Sequence, residues 1–243
     1  MAGLLTNLPA EIAGALSQAL ASRVRCHASL RARRLSLRVD AARGIVVLVL
    51  PPRAGMRSAT AFLKSNVGWI ERQLAAVPAG APLSDGQTFS IMDRRLRIRH
   101  DPAARAGVRH EDGLLIVSGD AAHVPRRVRD WIKDQARRHL GETARQYAAR
   151  LDKTVKKIVI RDTRTRWGSC SRDGVVSLSW RLVLAPTHVA RYVVAHEVAH
   201  LKHMNHGPAF WRTVDQLIDD AKVARRWLRA NGLALHRFGQ SLS

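Results

Sequence analysis

Cysteine and long apolar runs are both scarce in this sequence of 243 residues, and each scarcity excludes a class of protein. The two cysteines, Cys26 and Cys170, lie far apart, and neither belongs to a C-x-x-C pair. They therefore provide neither a disulfide framework nor a cysteine-based zinc site. The longest purely aliphatic run, Ile45 to Leu50, is far shorter than the roughly 20 residues that a membrane-spanning helix needs.

The start of the chain also lacks the basic cluster that begins a signal peptide, and Glu11 places an acidic side chain early. Together with the scarcity of cysteine, this pattern predicts a cytoplasmic protein. Hydrophobic residues make up 46% of the chain, which is enough to form a buried core.

Acidic residues are scarce as well: 19 aspartates and glutamates stand against 41 lysines and arginines, for a formal net charge of +22. Such a charge predicts attraction to nucleic acid or another polyanion. No recognised nucleic-acid-binding motif accompanies it, so a solvated basic surface from an arginine-rich composition is the alternative interpretation. The best candidate patch lies on a predicted helix and consists of Arg126, Arg127, Arg129, Lys133, Arg137 and Arg138.

The N-terminal half has the pattern of a small β-rich module. Leu35, Leu37 and Val39 alternate with polar residues, which is typical of a half-buried strand. The run Ile45 to Leu50 predicts a strand covered on both faces, and Pro51-Pro52 ends it.

One helix and three further strands complete this module. A stripe of apolar residues predicts a helix from about Ser58 to Ala76, and Pro78 to Pro82 follow as a linker. Three short strands are then predicted, over residues 88–92, 94–100 and 113–117. We therefore expect an N-terminal segment over residues 1–22 and a β-rich module with one helix over residues 23–120.

The C-terminal half combines helices with two more strands. A long helix begins at Pro125, and residues 156–161 and 175–184 have strand patterns. Thr187 is placed to cap the next helix, and Asn231-Gly232 to end the last one.

The helix that begins near Thr187 carries the pattern His196-Glu197-x-x-His200. Residues four apart lie on the same face of a helix, so the two histidines can bind one metal ion. Glu197 directly follows the first histidine, where its carboxylate can reach a metal-bound water, as in the zincin motif of metal-assisted hydrolysis. The rest of this helix is largely apolar, and burying these three side chains in it is costly unless a metal satisfies them.

A catalytic zinc normally has three protein ligands, so the motif needs one more. His206 lies ten residues after His196, the spacing of the third histidine in the metzincin pattern. The chain is not a metzincin, because His203 replaces the metzincin glycine and no methionine follows Met204.

Alternatives to His206 remain open. His203 would lie one turn beyond His200 if the helix continued unbroken. His206 is favoured, because Asn205 and Gly207 supply a tight turn beside it. A glutamate ligand from a following helix is disfavoured, because the acidic residues after Trp211 are all aspartates: Asp215, Asp219 and Asp220.

The metal-binding pattern stands within a series of further motifs. They are Arg166-Trp-Gly-Ser-Cys170, Leu178-Ser-Trp-Arg-Leu182, Pro186, Tyr192-Val-Val, His196-Glu-Val-Ala-His200-Leu and Asn205-His-Gly-Pro-Ala-Phe-Trp211. Weaker similarities precede them, in Arg33-Arg-Leu-Ser-Leu-Arg38, Val49-Leu-Pro-Pro52, Phe62-Leu and Trp69-Ile70. In this order the motifs resemble the YgjP-like metallopeptidase family and, more distantly, the SprT-like and WLM-type zinc proteases. The resemblance is strong over about residues 125 to 230.

The resemblance implies an α+β fold, in which a β-rich N-terminal module is followed by a compact zincin-like domain over residues 121–243. That domain would have a small antiparallel sheet and a metal-binding HExxH helix. The resemblance also implies that His196, His200 and His206 bind zinc and that Glu197 is the catalytic acid/base. Two residues depart from the family pattern without removing a ligand: Val198 replaces a leucine, and Gly207 replaces a serine.

The predicted function is hydrolysis of a protein or peptide substrate by a zinc-activated water, with Glu197 as general base. The strand around Ser177 to Leu182 is expected to offer an edge to an extended peptide. Arg166 is a candidate for stabilising the oxyanion, with a structural role as the alternative. Two other functions stay open: a DNA-associated basic protein with a zinc site that acts on nucleic-acid-bound proteins, and another zinc hydrolase such as an amidase or a nuclease.

Overall fold

The structure is a computed structural model, and it describes residues 5–40, 43–75, 82–105, 107–163 and 166–239. The chain forms two compact units, Met1–Ala79 and Gly80–Ser243. Within the described ranges, no helix is long and apolar enough to cross a membrane.

The first unit is built on a four-stranded sheet. Its strands are β1 (Thr6–Asn7), β2 (Val24–Ala28), β3 (Ser36–Asp40) and β4 (Ile45–Leu50). They pair in the order β1-β2-β4-β3, with β2 and β4 parallel and the other two pairs antiparallel. Val46, Val47 and Leu48 are all buried, so β4 is covered on both faces, as its unbroken apolar run predicts.

The described residues of the same unit also form four helices: α1 (Ala10–Ala13), α2 (Gln18–Ala21), α3 (Met56–Ser65) and α4 (Val67–Ala75). The single helix predicted over this last region is therefore two helices, interrupted at Asn66. The Asn66 side chain donates a hydrogen bond of 2.7 Å to the carbonyl of Phe62, which competes with the backbone bonds of a continuous helix. Leu63 and Ile70, one from each helix, are fully buried in the core of this unit. The predicted linker after α4 falls mainly outside the described residues.

The second unit begins with another four-stranded sheet. Its strands are β5 (Thr88–Ile91), β6 (Arg94–His100), β7 (Val108–Glu111) and β8 (Leu114–Val117), paired in the order β5-β6-β8-β7. The sequence pattern does not predict β7, because its residues are mostly polar and exposed. A two-residue turn brings β7 back onto β8, with Asp112 and Gly113 at φ of 45° and 77°.

These strands pack against the long helix α5 (Val124–Arg150). Phe89 and Leu96 from the sheet share one buried cluster with Val128 and Ile132 of α5. The contacts therefore divide the chain between residues 79 and 80, whereas the segments expected from the sequence meet at residue 120. An amphipathic strand pattern shows that one face is buried, but it does not show which core receives that face.

A three-stranded sheet follows, made of β9 (Lys157–Arg161), β10 (Gly168–Cys170) and β11 (Val175–Ser179) in the order β10-β11-β9. The expectation that this small sheet is antiparallel is only partly right. β10 and β11 are antiparallel, whereas β9 and β11 are parallel. The chain crosses over after β9, and the β10-β11 hairpin then returns β11 in the direction of β9.

The strand predicted over residues 175–184 ends at Ser179. Trp180–Leu184 form a 3₁₀ helix instead, and the Ser179 hydroxyl accepts a hydrogen bond of 3.4 Å from the backbone N–H of Arg181. Since β11 is paired on both sides, the prediction that the stretch around Ser177 to Leu182 offers a free edge is wrong.

Three helices complete the unit: α6 (Thr187–Ala199), α7 (Pro208–Leu217) and α8 (Ala221–Arg237). Thr187 is the first residue of α6 rather than its cap, and its backbone N–H donates to the carboxylate of Asp93 at 3.2 Å. The predicted stop at Asn231-Gly232 is also wrong. The Asn231 side chain donates a 3.0 Å hydrogen bond to the carbonyl of Trp227, and α8 continues for more than a turn.

Candidate metal centre

Three histidines meet where α6 ends and α7 begins. His196 and His200 are one turn apart at the end of α6, and His206 lies in the turn that precedes α7. One ring nitrogen from each lies within 4.8 Å of the others, and the Nε2 atoms of His196 and His206 are 3.1 Å apart. Among the residues that the structure describes, these form the one group of three or more His, Cys, Asp or Glu side chains close enough to hold a metal ion.

The end of α6 separates His203 from this group. Because the helix stops at Ala199, His203 does not occupy the same face one turn further on. Its backbone carbonyl instead accepts a hydrogen bond of 3.0 Å from Nδ1 of His200, which leaves Nε2 of His200 to bind a metal. The carboxylates after Trp211, which the sequence disfavours as ligands, also lie outside the group: Asp215, Asp219 and Asp220.

Phe210 packs against all three histidine rings. Its ring centroid lies 4.9 Å from that of His196, 4.7 Å from that of His200 and 4.6 Å from that of His206. Phe210 is fully buried and belongs to the first turn of α7. Its packing therefore fixes the beginning of α7, and the turn that carries His206, against the end of α6.

Glu197 lies against the backbone of β10. A Cβ atom added to Gly168 would be 2.6 Å from Cγ of Glu197 and 2.7 Å from Oε1. The absence of a side chain at Gly168 therefore lets the Glu197 carboxylate lie close to β10. The glutamate is only 6% exposed, although it lies next to the histidine group in sequence and borders a cavity.

The surroundings of Glu197 favour its protonated form more than water does. Burial raises the pKa of the Glu197 carboxyl to about 7, while the charge of Arg166 opposes that rise. A carboxyl with a pKa near neutrality exchanges a proton readily at physiological pH, which suits a general base.

The surroundings of two of the histidines, His196 and His200, favour the neutral form of the ring. Burial, together with the charges of His200, His206 and Arg225, lowers the pKa of His196 to about 4. Burial also lowers the pKa of His200, against the opposing effect of its hydrogen bond to the carbonyl of His203. A neutral imidazole is the form that binds a metal ion, so the protein environment favours metal binding at these rings.

A cavity of about 430 Å³ opens beside Glu197 and His196. Arg166, the candidate oxyanion residue, lines this cavity and is exposed. Two further arginines, Arg225 and Arg229 of α8, also line it, and sequence reasoning did not single them out. No local motif marks them, because they become neighbours of the site only when α8 packs against α6.

The position of α8 depends on a buried arginine and on a stacked pair of rings. Arg181, only 2% exposed, donates hydrogen bonds to the carbonyl groups of Leu235 and Phe238 at the end of α8, at 3.0 and 2.7 Å. Trp167 stacks on His236 with ring centroids 4.4 Å apart. A Cβ added to Gly232 would lie 3.2 Å from the Trp167 ring, so this glycine allows close packing instead of ending the helix.

The fold combines helices with several small sheets and brings three histidines close enough together to hold one metal ion. Residues 33–231 match the family model described as YgjP-like, metallopeptidase domain, and the chain belongs to this family of metallopeptidases. The match confirms the resemblance that the sequence motifs carry. No curated protein matches the chain significantly. Among solved structures, the metallopeptidase zymogen of Pyrococcus abyssi abylysin is 22% identical, covers 37% of this chain and 92% of its own, and has a TM-score of 0.34.

Proposed function

We propose that this metallopeptidase is zinc-dependent and that it hydrolyses peptide bonds at the site formed by His196, His200 and His206. The observation that carries the proposal is the approach of three ring nitrogens to within 4.8 Å of one another, next to a buried glutamate. Membership of a metallopeptidase family supports a protein or peptide as the substrate.

The donor set fits zinc. Three imidazole ligands with one open position are typical of catalytic zinc, and the hydrogen bond from His200 to the carbonyl of His203 orients one of these rings. When bound, zinc supplies Lewis acidity, which lowers the pKa of a water molecule and polarises the carbonyl of a peptide bond.

Glu197 acts as the general base in this proposal. Its carboxylate accepts a proton from the attacking water and passes that proton to the nitrogen of the leaving amine. Its contact with Gly168 keeps the carboxyl group in place, and its pKa of about 7 allows both transfers near neutral pH.

The outer edge of β10 is the place where we expect an extended substrate to pair with the enzyme. β10 is an edge strand of its sheet, and Gly168 within it contacts Glu197. A peptide that adds to this edge would bring its backbone alongside the proposed base. This assignment replaces the edge expected on β11.

Association with nucleic acid and cytoplasmic localisation stay predictions from the sequence. The predicted basic patch on α5 has six basic side chains, and four of them share two carboxylates. Asp130 pairs with Arg126 and Lys133, and Asp134 pairs with Arg137 and Arg138. The patch therefore keeps a positive charge, and the nucleic-acid alternative depends on this patch together with the net charge of +22.

Metal content and proteolysis together test the proposal. The purified full chain should contain one zinc per molecule, measured by inductively coupled plasma mass spectrometry, and should cleave members of a peptide library. Glu197→Gln should bind zinc as the wild type does but cleave about 10²- to 10⁴-fold more slowly, the usual contribution of general acid–base catalysis. Glu142→Gln, on the exposed surface of α5, is the matched control. Equal cleavage by Glu197→Gln and the wild type contradicts the proposal, and cleavage of phosphodiesters alone favours a nuclease.

A further inference from the structure

The cavity beside Glu197 combines apolar walls with positive charge. Trp167, Tyr192 and Leu228 line it, and Tyr192 is buried. Arg225 and Arg229 line the same cavity from α8. A volume of about 430 Å³ lies within the range of small-ligand pockets, so it accommodates side chains of a peptide but not a nucleic-acid duplex.

None of the three arginines that line this cavity forms an ion pair with a carboxylate of the described residues. In the part of the chain that the structure describes, no carboxylate lies within 4.0 Å of the guanidinium groups of Arg166, Arg225 or Arg229. The basic residues on the first half of α5 differ in this respect, because four of them pair with Asp130 or Asp134. The cavity thus holds three cations that a bound anion can reach.

The three arginines border the same cavity as two residues of the proposed reaction site, His196 and Glu197. An anion bound to these arginines in the cavity therefore lies beside that site.

Arg225 and Arg229 are also held in a common direction. They are four residues apart on α8, one helical turn, and so lie on the same face. The guanidinium of Arg225 lies 5.1 Å from the centre of the Trp211 ring, a cation–π contact next to the histidine group. Arginine side chains in such an arrangement form charge-assisted, bidentate hydrogen bonds to a carboxylate.

We propose that Arg225 and Arg229, with Arg166, form a subsite that binds a carboxylate of the peptide substrate beside the bond to be cleaved. The inference rests on the proposed function, since it names the substrate class of the same site: peptides with an acidic group near the cleavage point. That carboxylate comes either from an aspartate or glutamate side chain or from the free C-terminus of the peptide.

Cleavage of matched peptides tests the preference. Peptides blocked at both ends carry Glu, Gln or Lys at each position in turn around one cleavage site. The zinc-loaded wild type should cleave the Glu peptide with a kcat/KM about 10-fold above that of the Gln peptide at one position, the scale of a charge-assisted hydrogen bond. A second set, with free or amidated C-termini and no acidic side chain, distinguishes the terminal carboxylate from the side chain. Either preference supports the subsite, and equal rates throughout both sets overturn it.

Variants with reversed charge at Arg225 and Arg229 test whether these residues of α8 cause the preference. Arg225→Glu/Arg229→Glu should move the preference from Glu to Lys, while Arg225→Lys/Arg229→Lys should keep part of the preference for Glu. The matched control is Lys222→Glu/Arg226→Glu, which makes the same change of charge at the same spacing, on exposed residues of α8 that do not line the cavity. If this control shifts the preference as strongly, the effect belongs to the overall field of the protein and the subsite is refuted.

A binding measurement keeps the inference separate from the proposed function. Fluorescence anisotropy of labelled Glu and Gln peptides is followed on the zinc-loaded Glu197→Gln protein, with the arginine pair intact or reversed. One outcome supports the subsite and contradicts the peptidase proposal: the wild type cleaves no peptide, yet the Glu peptide binds about 10-fold more tightly than the Gln peptide, and only when the arginines are intact. If reversing the arginine pair weakens binding of a DNA duplex and leaves peptide binding unchanged, the arginines bind nucleic acid and the inference is wrong.

Discussion

Gly168 of β10 and Glu197 of α6 are so close that the Glu197 carboxyl group occupies the space where a side chain at position 168 would lie. A Cβ atom at position 168 would lie 2.8 Å from Cδ of Glu197, well inside normal van der Waals separation. The glycine belongs to β10 and the glutamate to α6, so the contact joins the small sheet to the helix that carries two of the three histidines. It explains why the motif Arg166-Trp-Gly-Ser-Cys170 accompanies the metal-binding pattern.

Gly168→Ala should therefore reduce peptidase activity while leaving the metal bound. The added methyl group displaces the Glu197 carboxyl, and a displacement of about 1 Å at a reacting group costs roughly 10²-fold in rate. Zinc content and kcat are the two measurements. Gly55→Ala is the control, because a Cβ at Gly55 meets no atom within 4 Å. A Gly168→Ala protein with the wild-type kcat would show that the carboxyl is not held by this contact.

His206→Ala should lower zinc affinity by more than about 100-fold, because the loss of a hydrogen-bond partner behind a ligand already costs about 10- to 100-fold. His203→Ala is the matched variant and should leave the affinity near that of the wild type, since His203 contributes its backbone carbonyl and not its ring. Competition with a chelator of known affinity measures both. Zinc loss in His203→Ala, with retention in His206→Ala, would reverse the assignment.

Cys170 should react slowly with alkylating reagents. Burial, and then the charge of Glu197, raises the pKa of its thiol from 9.0 to about 11. Because the thiolate is the reactive form, alkylation by iodoacetamide at pH 8 should be about 100-fold slower than for an ordinary thiol and should rise about tenfold per pH unit up to pH 10. The measurement uses metal-free Cys26→Ser protein, so that Cys170 is the one thiol present. A rate that levels off near pH 9 would contradict the raised pKa.

Arg181→Leu should destabilise the second unit by about 3 kcal/mol, because it removes a buried guanidinium and leaves the carbonyl groups of Leu235 and Phe238 without their donor. Asp162, the ionic partner of Arg181 at 3.1 Å, is 49% exposed at its side chain. Asp162→Asn should therefore cost less than Arg181→Leu, because the amide oxygen of asparagine can still accept the hydrogen bond from Arg181. Urea unfolding followed by tryptophan fluorescence compares the two variants. Equal costs would mean that Arg181 acts through its ion pair and not through the end of α8.

The strands and helices that could be predicted are those with a strong local pattern. The run of β4 and the alternation of β6 predicted their bounds, since side-chain burial repeats with a fixed period along each strand. β7 was not predicted, because its exposed residues have no such pattern. The parallel pairing of β9 with β11 was not predicted either, because the direction of pairing depends on how the chain crosses from one strand to the next. The stop predicted at Gly232 failed because the glycine serves packing against Trp167.

The sequence by itself determined the motif of α6 and the family to which the chain belongs. The geometry of a helix places His196 and His200 on one face wherever that helix is buried, so no other part of the chain is needed to predict the pair. Only the tertiary structure decided that Gly168 lies against Glu197 and that Arg225 and Arg229 line the neighbouring cavity. These contacts join residues that are about 30 positions apart, and they arise from the packing of buried surfaces between elements, which no local pattern specifies.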